Sequence, residues 1–424
     1  MQDLSRRRFV QLAGAGTAAA AIGMPNIARA AKPRVVVVGG GAGGGTAAKY
    51  IARDSKGAID VLLIEPTKQY YTCFFSNLYL GGFRKYASIG HTYENMASKY
   101  GVGVIHDWAD NIDRDKKKVR LASGADISYD RLVLSPGIDL IYDSVKGYSA
   151  EASAKIPHAW KSGTQVQLLK AQVMGMKQGG TFVMVAPPNP FRCPPGPYER
   201  VSMIAHLLKQ HNPKAKIIVL DPKEKFSKQG LFQQGWESHY PGMVEWLPPS
   251  VMDGIKEVNV DAMTFKTGLD TFKADAASII PAQKAGSIAQ KAGLTNSSGW
   301  CPIVPKTMQS TIDENIHVIG DSSVASAMPK SGFAANSQAK VAAMAVRGAL
   351  TGSRTFSPRF ANTCWSLIAP NDGVKVGATY KAGEKKIEPT STFISKNGET
   401  AALRKQTYEE SVGWYDGITN DIFG

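Results

Sequence analysis

Arg34-Val35-Val36-Val37-Val38-Gly39-Gly40-Gly41-Ala42-Gly43-Gly44-Gly45 is the stretch whose reading decides the fold. Four valines in a row read as a strand buried on both faces, as in a parallel sheet. Glycines follow at once in G-x-G-x-x-G spacing, at Gly39, Gly41 and Gly44. Thr46 to Ala52 then reads as a helix. Each glycine has a role in that pattern: a tight turn, close approach of backbone to a pyrophosphate, and close packing of helix on strand. A diphosphate is favoured at the helix N-terminus by unpaired N–H groups and the helix dipole. A second strand, Asp60 to Ile64, leads into Glu65, an acid placed for ribose hydroxyls. Strand, glycines, helix and acid together predict a dinucleotide site. The bland alternative is a glycine-rich turn that binds nothing.

The chain has 424 residues, 43% hydrophobic and 20% charged, which fits a globular protein of two or three domains. Residues 1–30 read as a twin-arginine export signal rather than as part of the fold. Arg6-Arg7-Arg8-Phe9 is followed by a mild apolar run from Leu12 to Met24 and a small-x-small cleavage pattern at Ala28-Arg29-Ala30. The run is too short and too weakly apolar for a membrane span, and no transmembrane segment is expected elsewhere. The expected location is the periplasm. The formal net charge is +15, of which about +12 stays with the mature part. Such a charge suits an acidic partner or surface, or plain solubility. No nucleic-acid-binding motif is present. The four cysteines, Cys73, Cys193, Cys301 and Cys364, show no C-x-x-C spacing, so no metal site is expected.

Further along the first domain, Gly101 to His106 reads as a third strand at the sheet edge, and Asp113 to Val119 as a solvated hairpin turn. Tyr129 to Gly137 reads as a strand ending in a Ser-Pro-Gly turn. Cys73 lies among aromatics in the loop after the ribose-binding strand. It is either a residue beside the cofactor or an ordinary core residue.

Gly180 to Ala186 and Val201 to Lys209 repeat the strand and helix of the first domain. The turn between them carries six prolines from Pro187 to Pro197 where a nicotinamide-binding relative has glycines. Proline fixes φ and removes N–H donors, so this loop is a poor cradle for a pyrophosphate. NAD(P)H is therefore not the expected substrate. The loop does fix the direction of Cys193, and Arg192 beside it is expected to favour the thiolate. Lys216 to Asp221 repeats the strand-then-acid pattern, with Asp221 as a relic. Trp236, His239 and His211 read as structural.

Ser278 to Pro281 is expected to re-enter the first domain. Thr311 to Asp321 reads as a buried strand ending in Gly320-Asp321, with the aspartate placed to bond a ribityl chain or pyrophosphate. A helix then runs to about Arg347. Its N-terminus, with Lys330, is expected to face the N1–O2 edge of a flavin and stabilise its reduced form. The two motifs together make FAD the expected cofactor. The last segment, from Phe360, reads as irregular and rich in Gly, Thr and aromatics, with no basic stripe of the kind that lies on membranes.

These motifs support an α/β fold: two Rossmann-type domains of the disulfide-reductase flavoprotein kind plus a small C-terminal domain. The expected boundaries are 31–140 and 276–348 for the FAD domain, 141–275 for the second nucleotide-binding-like domain, and 349–424 for the C-terminal domain.

Cys193-Pro194-Pro195-Gly196-Pro197-Tyr198-Glu199, Met328-Pro329-Lys330-Ser331-Gly332-Phe333, Cys73 and Asn362-Thr363-Cys364 resemble the flavoprotein subunit of flavocytochrome c sulfide dehydrogenase. The resemblance runs the length of the chain. It implies FAD bonded through the sulfur of Cys73. It implies a redox disulfide between Cys193 and Cys364, and a separate haem c subunit as partner in a heterodimer. The implied reaction oxidises sulfide to sulfur or polysulfide, with Glu199 as a candidate base. The competing reading of Glu199 is a surface carboxylate paired with Arg200. Cys301 is assigned no role. The rival functions are a sulfide:quinone oxidoreductase, an NADH-dependent flavin disulfide reductase, and a non-enzymatic FAD scaffold.

Overall fold

Val35, Val36 and Val37 are fully buried, because their strand has a neighbour on each edge and a layer on each face. A computed structural model describes residues 32–161 and 163–424; the export-signal reading of residues 1–30 lies outside the described residues. Arg34–Val38 is the centre of a five-stranded parallel sheet. Asp60–Ile64 and then Gly103–Ile105 lie on one side, and Arg131–Leu134 and then Ile316–Val318 on the other. The fifth strand arrives from far along the sequence, so the first sheet is built from two separated segments. Between Ala109–Asp113 and Lys118–Leu121 the chain makes the solvated antiparallel turn expected there.

The second sheet is parallel as well, in the order Val244–Leu247, Lys216–Leu220, Thr181–Val185, Ala276–Ile279. This corrects the expected re-entry at Ser278. Ala276 to Ile279 are all buried beside Phe182 to Val185, and their small side chains fit an interior strand. Ala282–Ala285 next pairs antiparallel with Ile138–Ile141 in a separate two-stranded ladder, and the return to the first sheet comes at Ile316–Val318.

The C-terminal segment is regular, contrary to the sequence reading. Arg359–Ala369, Asp372–Ala382 and Ile387–Ile394 form an antiparallel sheet, followed by a helix at Ala401–Phe423. Alternation is present in the first of these strands, but its inward positions include Asn362, Cys364 and Ser366. Polar residues on the buried face hide the period of two that marks a strand. The closing helix turns Tyr415, Ile418, Ile422 and Phe423 inward. Its end is tied to the first domain. Asp421 accepts from Tyr50 at 2.7 Å and from Asn336 at 2.9 Å, and pairs with Lys340 at 2.7 Å. Among the described residues, no helix is long and apolar enough to cross a membrane, and no cluster has the makings of a metal site.

Candidate active site

The first glycine turn has the geometry that its spacing predicts. Gly39 has a φ of 94°, and a Cβ there would lie 2.3 Å from the carbonyl oxygen of Ser135. A Cβ on Gly44 would lie 1.8 Å from the carbonyl oxygen of Gly39, so the helix Gly44–Ser55 can start this close to the strand only with glycine. On Gly41 a Cβ would meet the Tyr70 hydroxyl at 2.8 Å. Glu65 follows the second strand and is buried. Its carboxylate accepts from the Gly40 amide at 2.8 Å and from the amide and hydroxyl of Thr67 at 3.0 and 2.7 Å, which fixes it beside the turn.

Asp321 follows Gly320, whose φ of 73° turns the chain. Its Oδ2 is 3.7 Å from Arg192, and its Oδ1 is buried without a hydrogen-bond partner. A buried oxygen left open is what a cofactor hydroxyl would satisfy. With the glycine cradle, the residues fit a dinucleotide flavin. Lys330 differs from expectation. Its ammonium donates to the carbonyl oxygens of Asp321 and Ser323 at 2.7 and 2.9 Å and lies 3.6 Å from the Trp300 ring centre. Two carbonyls and a ring face hold it against the Gly320 turn. The groups that reach the cleft from this helix start are Ser331, Gly332 and Phe333.

A cleft of about 860 Å³, including its space open to solvent, brings together Cys73, Cys193, Cys364, Glu199, Arg192 and Arg200. They come from sequence positions as far apart as 73 and 364. Cys73 arrives on the loop after the second strand. Cys364 sits on the inward face of the strand Arg359–Ala369. Cys193 is held at a φ of 58°, a region that non-glycine residues seldom enter. The turn is locked on both sides: its amide donates to the carbonyl of Lys330 at 2.7 Å, and its carbonyl accepts from the Gly196 amide at 2.8 Å. The four cysteines are thiols in this structure.

Burial pushes the Cys193 thiol well above its ordinary value, and Cys364, Glu199 and Cys73 add to the rise. The thiolate-favouring effect expected from Arg192 does not prevail: desolvation leads the rise, and Lys228 is the cation that opposes it. Cys364 is also raised by burial, against the opposing effects of Asn362 and Lys228. The Asn362 side-chain amide donates to the Cys364 sulfur at 3.5 Å.

Glu199 is not a surface carboxylate. It lies in the helix Gly196–His211 and accepts from the Asn77 side chain at 2.9 Å and from the Leu367 amide at 3.0 Å. Burial raises its pKa, while Asn77, Leu367 and Lys228 oppose the rise. Nor is it paired with Arg200. That guanidinium is 1% exposed and donates to the carbonyls of His158 and Ala159 and to the Ser278 hydroxyl.

Asn77, Arg200 and Lys228 are the groups that sequence reasoning missed. Asn77 and Arg200 sat beside residues already singled out. Lys228 lies in an unremarkable Lys-Glu-Lys-Phe-Ser-Lys run, and nothing in that run marks it as buried. Cys301 is fully buried, and burial pushes its thiol up to about 12, as befits an inert core sulfur.

Asp221, the acid that follows the second strand of the second domain, is already engaged. Asp221 is fully buried and accepts from the Tyr198 hydroxyl at 2.6 Å, the Trp246 indole at 3.0 Å and Lys223 at 2.6 Å. Tyr198 stacks on Phe226 with ring centres 3.6 Å apart. Trp236 and His239 are structural, as expected: they bond to Ser202 and Asp372 respectively.

Residues 166–281 match the family model for the central region of the sulfide dehydrogenase (flavocytochrome c) flavoprotein chain, and residues 356–423 match its flavin-binding region. Residues 33–175 match the pyridine nucleotide-disulphide oxidoreductase model. Among curated proteins, the mitochondrial sulfide:quinone oxidoreductase of Mus musculus is 25% identical over 301 residues, covering 68% of this chain and 65% of that protein. The mitochondrial sulfide:quinone oxidoreductase of Dictyostelium discoideum is 22% identical, with the same coverage. The chain therefore spans about two thirds of the length of the curated relatives it matches. The sulfide:quinone oxidoreductase of Aquifex aeolicus has a similar fold, with a TM-score of 0.67 at 19% identity over 92% of both chains. Two matches specific to one flavoprotein, on the segments that carry Cys193, Glu199 and Cys364, place the sequence: the chain belongs to the family of the flavocytochrome c sulfide dehydrogenase flavoprotein chain.

Proposed function

We propose that the protein oxidises sulfide through a redox disulfide between Cys193 and Cys364, with FAD as its cofactor and a haem c subunit as electron acceptor. The observation that carries this reading is the convergence of Cys73, Cys193, Cys364 and Glu199 on one cleft. Gly39, Gly41 and Gly44 would hold the diphosphate, Glu65 the ribose end, Asp321 a cofactor hydroxyl, and Cys73 a covalent link to the ring. Bound FAD supplies acceptance of an electron pair and its release one electron at a time.

The chain's own residues account for the sulfur chemistry. Glu199, ionised, takes a proton from hydrogen sulfide. The hydrosulfide sulfur bonds to one cysteine sulfur, the Cys193–Cys364 bond breaks, and the other cysteine leaves as a thiolate. The disulfide gains two electrons, and the sulfide sulfur is oxidised to the sulfane level as a persulfide. Apolar walls, including Phe333, Trp365 and Trp414, keep water from the persulfide. Export by the leader at residues 1–30 would place the reaction in the periplasm.

Quinone is the second acceptor to consider, because the curated relatives carry that activity in their names. Tyr415, Ile418, Ile422 and Phe423 of the C-terminal helix turn inward, and Leu403 near its start is its exposed large apolar residue. The deciding assay is sulfide-dependent reduction of cytochrome c against reduction of quinone, with and without the haem subunit. Cytochrome c reduction that requires the haem subunit supports the reading. Quinone as the best acceptor of a haem-free protein contradicts it. Acid-precipitated protein should stay yellow, and Cys73→Ser should release its flavin; flavin that washes out of the wild type contradicts the covalent link.

A further inference from the structure

Lys228 has no part in the reaction above, yet it sits behind its sulfur atoms. It immediately precedes the helix Gln229–His239, at a φ of 61°. The residue is 5% exposed. Its ammonium donates to the carbonyl of Cys364 at 3.0 Å, to the Ser366 hydroxyl at 2.8 Å and to the carbonyl of Val374 at 3.3 Å. All three partners are neutral. A buried ammonium with no carboxylate in hydrogen-bond contact is only partly compensated, so it suits a place where further negative charge arrives.

The titratable groups that face it come from three elements. They are Cys364 on its strand, Glu199 on the helix Gly196–His211, and Cys193 on the proline loop. Its own segment contributes no acid to this set. With the disulfide closed, the sulfurs carry no charge. When the disulfide opens, they carry one.

We propose that Lys228 supplies the positive charge that compensates the thiolate formed when an anionic sulfur nucleophile opens the Cys193–Cys364 bond. The proposal rests on the functional reading above. The charge balance is simple. The nucleophile brings one negative charge, a sulfur–sulfur bond forms, the Cys193–Cys364 bond breaks, and its electron pair leaves on the departing cysteine. Whichever sulfur departs, one negative charge remains in a largely buried cleft. An ammonium held there offsets the desolvation that otherwise raises both thiols. Lys228 keeps its proton throughout and touches neither nucleophile nor sulfur. It is a positioning charge, fixed by its bond to the Cys364 carbonyl. Burial pulls its pKa down to about 8, so the charge is lost as pH rises through that value.

Sulfite is a suitable probe, because its attack leaves an S-sulfonate on one cysteine and a thiolate on the other. Oxidised full-length protein is mixed with sulfite between pH 7 and 10, quenched with acid, and alkylated. The opened Cys193 and Cys364 peptides are counted by mass spectrometry, and the rate is corrected for the ionisation of sulfite. The wild-type rate should fall roughly tenfold as pH rises through the Lys228 value, which in the oxidised protein lies no higher than about 8 because the two thiols that raise it are absent. Lys228→Arg, which keeps its charge over this range, should stay fast to pH 10. Lys228→Met should show the low rate at every pH, and Glu199→Gln should keep a midpoint, moved to lower pH because the Glu199 carboxylate raises the Lys228 value. A wild-type rate that is flat from pH 7 to 10 overturns the proposal without any variant. So does a folded Lys228→Met that opens as fast as the wild type at pH 7, or a midpoint that disappears in Glu199→Gln. Oxidised protein that lacks the Cys193–Cys364 bond refutes the functional reading and this proposal together. A bond that is present but opens without the pH midpoint refutes only the role of Lys228.

Discussion

The amide of Cys193 donates to the carbonyl oxygen of Lys330 at 2.7 Å. This bond fastens the proline loop of the second domain to the residue two positions before the helix Gly332–Thr351. The following turn is equally tight. A Cβ on Gly196 would lie 2.9 Å from the Cys193 sulfur and 2.8 Å from the Trp160 ring. Gly196→Ala should therefore push the sulfur aside. Overpacking of this kind costs roughly 1–3 kcal/mol, readable by urea unfolding, and disulfide formation with Cys364 should slow at least tenfold. A variant that forms the bond at the wild-type rate would show that the loop has slack.

Glu199 gives a pH signature with a definite sign. Burial raises its pKa, and the base must be ionised to act. The rate of sulfide oxidation, corrected for the ionisation of sulfide, should fall as pH drops through that raised value. Glu199→Gln should abolish this acid limb and lower the plateau roughly 10²-fold or more, as loss of a positioned base does. An acid limb unchanged in the glutamine variant would move the role to another group.

Asp221 and Lys223 form a buried pair, 2.6 Å apart. Removing one partner strands the other charge, so Asp221→Ala should lose roughly 3–5 kcal/mol of stability, measured by denaturant unfolding. Neither the wild type nor the folded remainder of the variant should oxidise NADH, because the acid serves the core. NADH oxidation by the wild type would reopen the reading as a nicotinamide-dependent reductase.

His158 links the cleft wall to acid stability. Burial, with Arg200 adding to it, pulls its pKa down to about 3, and its Nδ1 accepts from the Trp160 amide at 3.0 Å. The imidazole is neutral in the folded state, whereas the unfolded chain binds a proton below about pH 6.5. The unfolded state therefore takes up more protons, and stability falls as pH drops from about 6.5 toward 3. The loss at pH 4 from this group is on the order of 3 kcal/mol. His158→Asn should flatten that part of the stability profile, and a profile that keeps its slope would contradict the assignment.

The first dinucleotide turn was legible in the sequence because its signal is local. Valines, glycines and acid lie within 32 residues of one another, and each answers to a backbone requirement that a Cβ at Gly39 or Gly44 would violate. The six prolines that replace glycines around Cys193 are a local signal of the same kind. The C-terminal sheet was not legible. Its strand Arg359–Ala369 faces inward with Asn362, Cys364 and Ser366, which serve the site and disguise the alternation. Lys228 was invisible for a related reason. Its burial comes from contacts with Cys364, Ser366 and Val374, all more than a hundred residues away, and no local pattern encodes them. Lys330 differs: the Asp321, Ser323 and Trp300 partners that hold its ammonium lie within about 30 residues of it, but no pattern in that stretch marks them as partners.

The central claim is that sulfide enters through the Cys193–Cys364 disulfide. Its most direct test is anaerobic addition of sulfide to the oxidised holoprotein and to the Cys193→Ser and Cys364→Ser variants. Flavin absorbance and the masses of the cysteine peptides are followed in parallel. The account predicts that wild-type flavin bleaches while a persulfide appears on Cys193 or Cys364, and that both variants stay folded, yellow and unreduced. Normal sulfide-driven bleaching in both serine variants would contradict it.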